Sequence, residues 1–176
     1  MPSPIAHLAT GYAISAAADK RLGAPAIRRG KAWRLLFILA LSLAPDADAV
    51  WGILLGDLGR YHNNFLHSLA AGMLTGLGAA LAGRFVFRDT AWRWFLVGLL
   101  SHWIHVGMDA LTVGRGVMLL WPFTASRFQA PFRLFYGLHW SDGLFTVKHF
   151  WTLLNEVPPS IALVLWTARR RKRRGT

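Results

Sequence analysis

The chain has 176 residues, of which 54% are hydrophobic and only 16% charged, with a mean hydropathy of +0.35. Soluble domains are about one quarter charged, so this composition points to a membrane protein. The formal charge of +12 does not mark a nucleic-acid binder: the basic residues fall in three short clusters beside apolar blocks, and no nucleic-acid-binding motif accompanies them.

The first apolar block, residues 5–18, carries His7 at its start. It has neither a basic n-region nor a small-residue cleavage site and is read as a retained segment. A basic cluster over 20–34 leads to the second block, 34–45, which ends at Pro45-Asp46-Ala47-Asp48. On one straight helix, residues two apart point to nearly opposite sides, whereas a chain bent at proline can aim both acids inward. His62 and His67 bracket the start of the third block, 65–83, with Asn63 and Asn64 expected to form a turn and a helix N-cap.

A second basic cluster, 84–93, precedes the fourth block, 94–113. A span needs about 20 residues, so the third and fourth blocks are long enough to cross a bilayer. His105 and Asp109 lie four apart and share one helix face, a spacing that lets an imidazole and a carboxylate grip one cation. His102, one turn earlier, is read as orienting a ligand more than as a ligand itself. Residues 111–148 are too polar and broken to span; their aromatics and Arg115, Arg127 and Arg133 suit an interfacial loop, either a substrate platform or a plain connector. Arg115 or Arg127 is a candidate to steady an anionic headgroup. His139, Asp142 and His149 are candidates for outer contacts or surface positions. The last block, 150–168, contains Glu156 before Pro158 and Pro159, where an acid must pair with an Arg or mark a helix break. Residues 169–176 form a basic tail.

Placing all three basic clusters in the cytoplasm gives a single path: N-terminus outside, five passes, C-terminus cytoplasmic. Trp33, Trp92, Trp94 and Trp166 then mark the cytoplasmic boundary, and Trp51, Trp121, Trp140 and Trp151 the other. The expected fold is all-α: a polytopic membrane helical bundle of about five helices with a long interfacial loop, residues 1–168 forming one membrane-embedded domain and 169–176 its cytoplasmic tail.

On this path His7, Asp46, Asp48, His62, His67, His105 and Asp109 all reach the non-cytoplasmic side. With no cysteine in the chain, any metal must be held by His, Asp, Glu or carbonyl groups. Imidazoles beside carboxylates suit zinc, with manganese or iron as alternatives. Seven donors exceed one tetrahedral site, so one or two divalent ions are expected.

The early His7, the PDAD segment, the HNNFLHS segment and the HVGMDALT segment, followed by Gly116, Pro122 and Phe123, occur in an order that resembles the YdjM family of predicted membrane-bound, metal-dependent hydrolases. In that family the first His of the HxxxxHS segment is usually followed by Arg, where this chain has Asn63. The His-rich helices and the HxxxD are also distantly similar to zinc-dependent phospholipase C, an all-helical phosphodiesterase. The resemblance implies a membrane-bound metal-dependent hydrolase in the inner membrane. Asp48 and Asp109 are the candidate catalytic carboxylates, with Asp48 expected to take the proton of a metal-activated water. A site at headgroup depth implies membrane lipids as neighbours and a phosphoester in a lipid or lipid-linked substrate. The alternative is a protein that binds or transports a divalent metal.

Overall fold

The structure, a computed structural model, describes residues 2–19, 30–138 and 146–173. His139, Trp140, Asp142, most of the first basic cluster and Arg174 lie outside them. Pro4 opens helix α1, Pro4–Ala18, at a position where its missing N–H costs nothing. Helix α2, Gly30–Ser42, packs against it, and Gly11 makes the approach possible: a Cβ there would lie 2.5 Å from Ser42 Oγ.

Pro45 cannot continue the α-helical ladder. The chain tightens into a 3-10 turn, Ala44–Asp46, and resumes as α3, Ala47–Leu54, bent by 56° from α2. A single helical turn, α4, Leu58–Tyr61, follows. Asn64 serves this turn and not the next helix: its Nδ2 donates to the carbonyls of Arg60, at 2.8 Å, and Tyr61, at 3.0 Å, while Asn63 takes a left-handed φ of 59°. The N-cap expected at Asn63 or Asn64 belongs to Ser68, whose Oγ accepts from the Ala71 amide at 3.1 Å. Helix α5, Leu69–Phe85, therefore starts after His67.

Helices α5 and α6, Ala91–Ala110, form the closest pair in the fold. A Cβ on Gly72, Gly76 or Gly83 would lie 2.4, 3.0 or 2.3 Å from the rings of Trp103, Phe95 or Trp94 respectively. Bare backbone at these positions lets large α6 rings lie flat on α5. Trp94 is consequently fully buried with Phe37 and Phe87, and is not the boundary residue its sequence position suggests.

Helix α7, Val147–Arg173, packs on α1. It runs unbroken through Pro158 and Pro159 and carries the first five residues of the basic tail as helix. Glu156 does not break it, and among the described residues it meets no arginine. Fully buried, its Oε2 accepts from the Ser3 amide at 2.5 Å and ties the start of α1 to α7.

The described residues are thus all-helical, with five helices of 13 residues or more and no strand; only isolated bridges, Thr112 with Phe135 and Val117 with Phe128, interrupt the irregular stretch after α6. No single described helix is long and apolar enough to cross a membrane; α2 and the bent segment Ala44–Leu54 meet the requirement only together, by length and composition. The two blocks expected to qualify fall short for identifiable reasons: Ser68 delays α5 and leaves it 17 residues, and α6 spends positions on Arg93, His102, His105 and Asp109. Beside its apolar core the bundle buries an unusual number of ionisable groups and exposes many large apolar side chains. His7, Asp48, His67, His105, Asp109 and Glu156 are inside, while Trp51, Ile53, Leu54, Leu74, Leu81 and Trp92 are outside.

Candidate metal centre

All seven residues read as ligands meet at one end of the bundle. The start of α1 brings His7, the α2–α3 bend brings Asp46 and Asp48, the segment between α4 and α5 brings His62 and His67, and the last turns of α6 bring His105 and Asp109. Both acids of the PDAD segment face inward because Asp46 closes the 3-10 turn and Asp48 sits in the first turn of α3, on the far side of the bend.

The hydrogen bonds fix which imidazole nitrogen faces the centre. A carboxylate or carbonyl oxygen only accepts, so the bonded ring nitrogen carries the hydrogen. His62 Nδ1 donates to Asp48 Oδ1 at 2.7 Å, His67 Nδ1 to Asp48 Oδ2 at 3.2 Å, and His105 Nδ1 to the Ser42 carbonyl at 2.7 Å. All three Nε2 atoms are thereby left as lone-pair donors aimed inward. They lie 3.6, 3.5 and 3.3 Å from one atom, Asp46 Oδ1. Asp109 Oδ2 lies 3.0 Å from His67 Nε2 and 3.8 Å from His105 Nε2, and Asp109 Oδ1 lies 3.5 Å from His7 Nε2. The His7 ring stacks on His105 with centroids 3.6 Å apart.

These inward atoms, His7 Nε2, Asp46 Oδ1, His62 Nε2, His67 Nε2, His105 Nε2 and both oxygens of Asp109, are buried and form no hydrogen bond. Leaving even one buried acceptor unpaired costs about 1–3 kcal/mol. A cation reverses that cost, and the spacing fits one. Ligands about 2.0–2.1 Å from a tetrahedral zinc stand about 3.3 Å from each other, within the observed range of 3.0 to 3.8 Å. Asp46, His67, His105 and Asp109 form one group able to hold an ion, and Asp48, His62 and His67 a second.

His102 is not free to ligate. Its Nε2 donates to the Leu66 carbonyl at 2.9 Å and its Nδ1 accepts from Thr75 Oγ1 at 2.9 Å. It ties the residue before His67 to α6. The Ser42 and Leu66 carbonyls and Thr75 are contributors that a search of the sequence for metal ligands passes over, because a carbonyl has no residue-type signature.

The stretch after α6 folds back over this end. Ala130 and Leu134 amides donate to the carbonyls of Ala110 and Leu111, and the Leu69 amide donates to Leu119. Gly116, with φ of 77°, passes so close to the Phe128 carbonyl that a Cβ would lie 2.4 Å from its oxygen. Arg115 donates to the His62 carbonyl, and Arg127 to the Asn63 carbonyl at 2.9 Å. Of the two readings of this loop, platform or connector, the structure shows that it is fastened to the turn that delivers His62.

The model of the family described as YdjM inner membrane protein matches residues 1–173. The inner membrane protein YbcI of Escherichia coli (strain K12) is 32% identical over 142 residues, covering 76% of this chain and 75% of that protein. No solved structure matches.

Proposed function

The chain belongs to the YdjM family of inner membrane proteins, and we propose that it is a multi-pass, membrane-bound, metal-dependent hydrolase of a phosphoester in a lipid or lipid-linked substrate. The observation that carries this reading is the convergence of seven buried, unbonded donor atoms from His7, Asp46, His62, His67, His105 and Asp109. Zinc suits the donor set best, with manganese or iron as alternatives. A divalent ion held there supplies Lewis acidity and brings the pKa of a coordinated water near neutrality.

The chain's own residues divide the work. His67 and His105 would hold the ion through Nε2, with Asp46 and Asp109 as carboxylate ligands, His7 beside Asp109 and His62 beside Asp46. Asp48 is better placed to orient than to ligate, since each of its oxygens already accepts from an imidazole. A neutral His67 offers one lone pair, and that lone pair faces Asp46 and Asp109; this favours one ion over two. The role of proton acceptor, expected at Asp48, passes in this reading to Asp46. Its side chain keeps 14% of its exposure, the most among the seven, and it stands at the mouth of the centre.

The exposed apolar shell and buried polar interior support a lipid environment. The helix directions support a path with the N-terminus outside and the metal end at the outer headgroups. Metal transport would need a polar route onward, but Ile38, Ala79, Phe87 and Trp94 fill the other end of the bundle.

The deciding experiment purifies the protein in detergent, measures bound metal, and assays phosphodiester and phospholipid cleavage with and without chelator. Chelator-sensitive cleavage accompanied by bound metal is expected. Metal retained in full by Asp109→Ala would overturn the site, and flux of metal into liposomes without cleavage would favour transport. A reporter fused after Arg173 that reads as periplasmic would invert the path.

A further inference from the structure

The turn at residues 62–64 sends His62 inward to the centre and holds two arginines on its outer side. Arg115 donates through Nη2 to the His62 carbonyl. Arg127 donates through Nη1 to the carbonyls of Asn63, at 2.9 Å, and Gly116, at 3.2 Å, and through Nη2 to Asn64 Oδ1 at 2.6 Å. Every one of these acceptors is neutral. Among the described residues neither guanidinium forms an ion pair, although Arg115 feels the charges of Asp48 and Asp57.

The two guanidiniums are fastened to one three-residue turn and carry like charges, which repel. Fastening the loop does not require that repulsion. The neutral amide of Gln129 bonds the Gly114 carbonyl in the same loop. An anion between the guanidiniums would turn the repulsion into attraction. The pair also stands on the open side of the centre: among the seven site residues the side chains of Asp46 and His62 keep the most exposure, 14% and 6%, and Arg115 is bonded to His62 itself.

We propose that Arg115 and Arg127 form the phosphate-binding site of the substrate, receiving the non-bridging oxygens of a phosphoester and presenting it to the centre at Asp46 and His62. This rests on the hydrolase reading above and narrows it to substrates with an anionic phosphate. Guanidinium groups suit the role because their planar N–H forks match two phosphate oxygens at once.

The test titrates inorganic phosphate into the full chain in detergent micelles by calorimetry, before and after loading with zinc, and measures the zinc content of the same samples. Arg115→Gln and Arg127→Gln remove the charge and keep an amide with two N–H donors. Each is expected to keep its zinc and weaken phosphate binding about 10-fold or more. Lys at either position should restore part of the loss. Chelator-stripped wild type should still bind phosphate in an arginine-dependent way. Failure of the metal reading therefore shows in the zinc assay alone, and failure of the arginine pair in the phosphate titration. Wild type that binds no phosphate, Gln variants that bind it as wild type does, or Gln variants that lose zinc and phosphate together would each overturn the proposal. Competition by short-chain phosphatidic acid assigns the phosphate to a lipid, and its absence assigns it to a soluble phosphoester.

Discussion

The two ends of the bundle treat buried charge in opposite ways. At the basic end, Arg34 is buried and meets Asp89 at 3.2 Å, Arg171 meets Asp19, and the Arg170 guanidinium lies 4.1 Å over the Trp166 ring. At the metal end, the carboxylates of Asp46 and Asp109 and four imidazoles bring buried atoms without hydrogen-bond partners to within 3.0–3.8 Å of one another. The first arrangement pairs opposite charges and holds helices together. The second leaves buried nitrogen and oxygen atoms without hydrogen-bond partners, in a geometry able to hold a cation.

That contrast can be broken most forcefully at Asp109, which is fully buried and faces His7, His67 and His105. Asp109→Asn should lower metal affinity by more than about 100-fold, beyond the usual cost of losing an outer contact, as read by metal content after dialysis. Asp48→Asn sharpens the division of roles. If Asp48 orients His62 and His67, affinity should fall about 10–100-fold with the metal-to-protein ratio unchanged; a drop from two ions to one would make it a ligand. Acidity is a milder perturbation of the same end. Because metal binds the neutral imidazole, affinity should weaken as pH falls, with proton release on binding measurable by calorimetry in buffers of different ionisation heat. At the basic end, Arg34→Ala should leave metal content unchanged yet cost about 2 kcal/mol of stability, by removing the buried guanidinium's charged hydrogen bond to Asp89. Arg171→Ala, on the partly exposed pair, should cost about 1 kcal/mol or less in the same melting assay.

Much of the metal end was legible from spacing. Pro45 announces a bend, and a bend is what two acids two apart need to face one way. The His105 and Asp109 pair reads directly as a shared helix face. What could not be read was which imidazole nitrogen points inward, because the Ser42 carbonyl that orients His105 lies 63 residues away and looks like any other carbonyl. The helix limits drifted for a related reason. Asn63-Asn64 offers good capping chemistry, but those residues were drawn into closing α4 and receiving Arg127, which left the cap to Ser68. Trp94 was misplaced because aromatic belts are inferred from distance to the span end, and the cleft made by Gly83 has no hydropathic signature. Glu156 was recognised as needing a partner, but a backbone amide 153 residues away is not a partner that sequence can propose.

The glycines of α5 also make that helix a lever. Gly83 sits against Trp94 near the basic end, about 24 Å along the helix from the residues that hold His67. A methyl group at Gly83 that tilted α5 by only about 1° would swing its other end by roughly 0.4 Å, close to the ~0.5 Å tolerance of a preorganised site. The precision of the metal end is therefore set partly at the opposite surface, by a side chain that is not there.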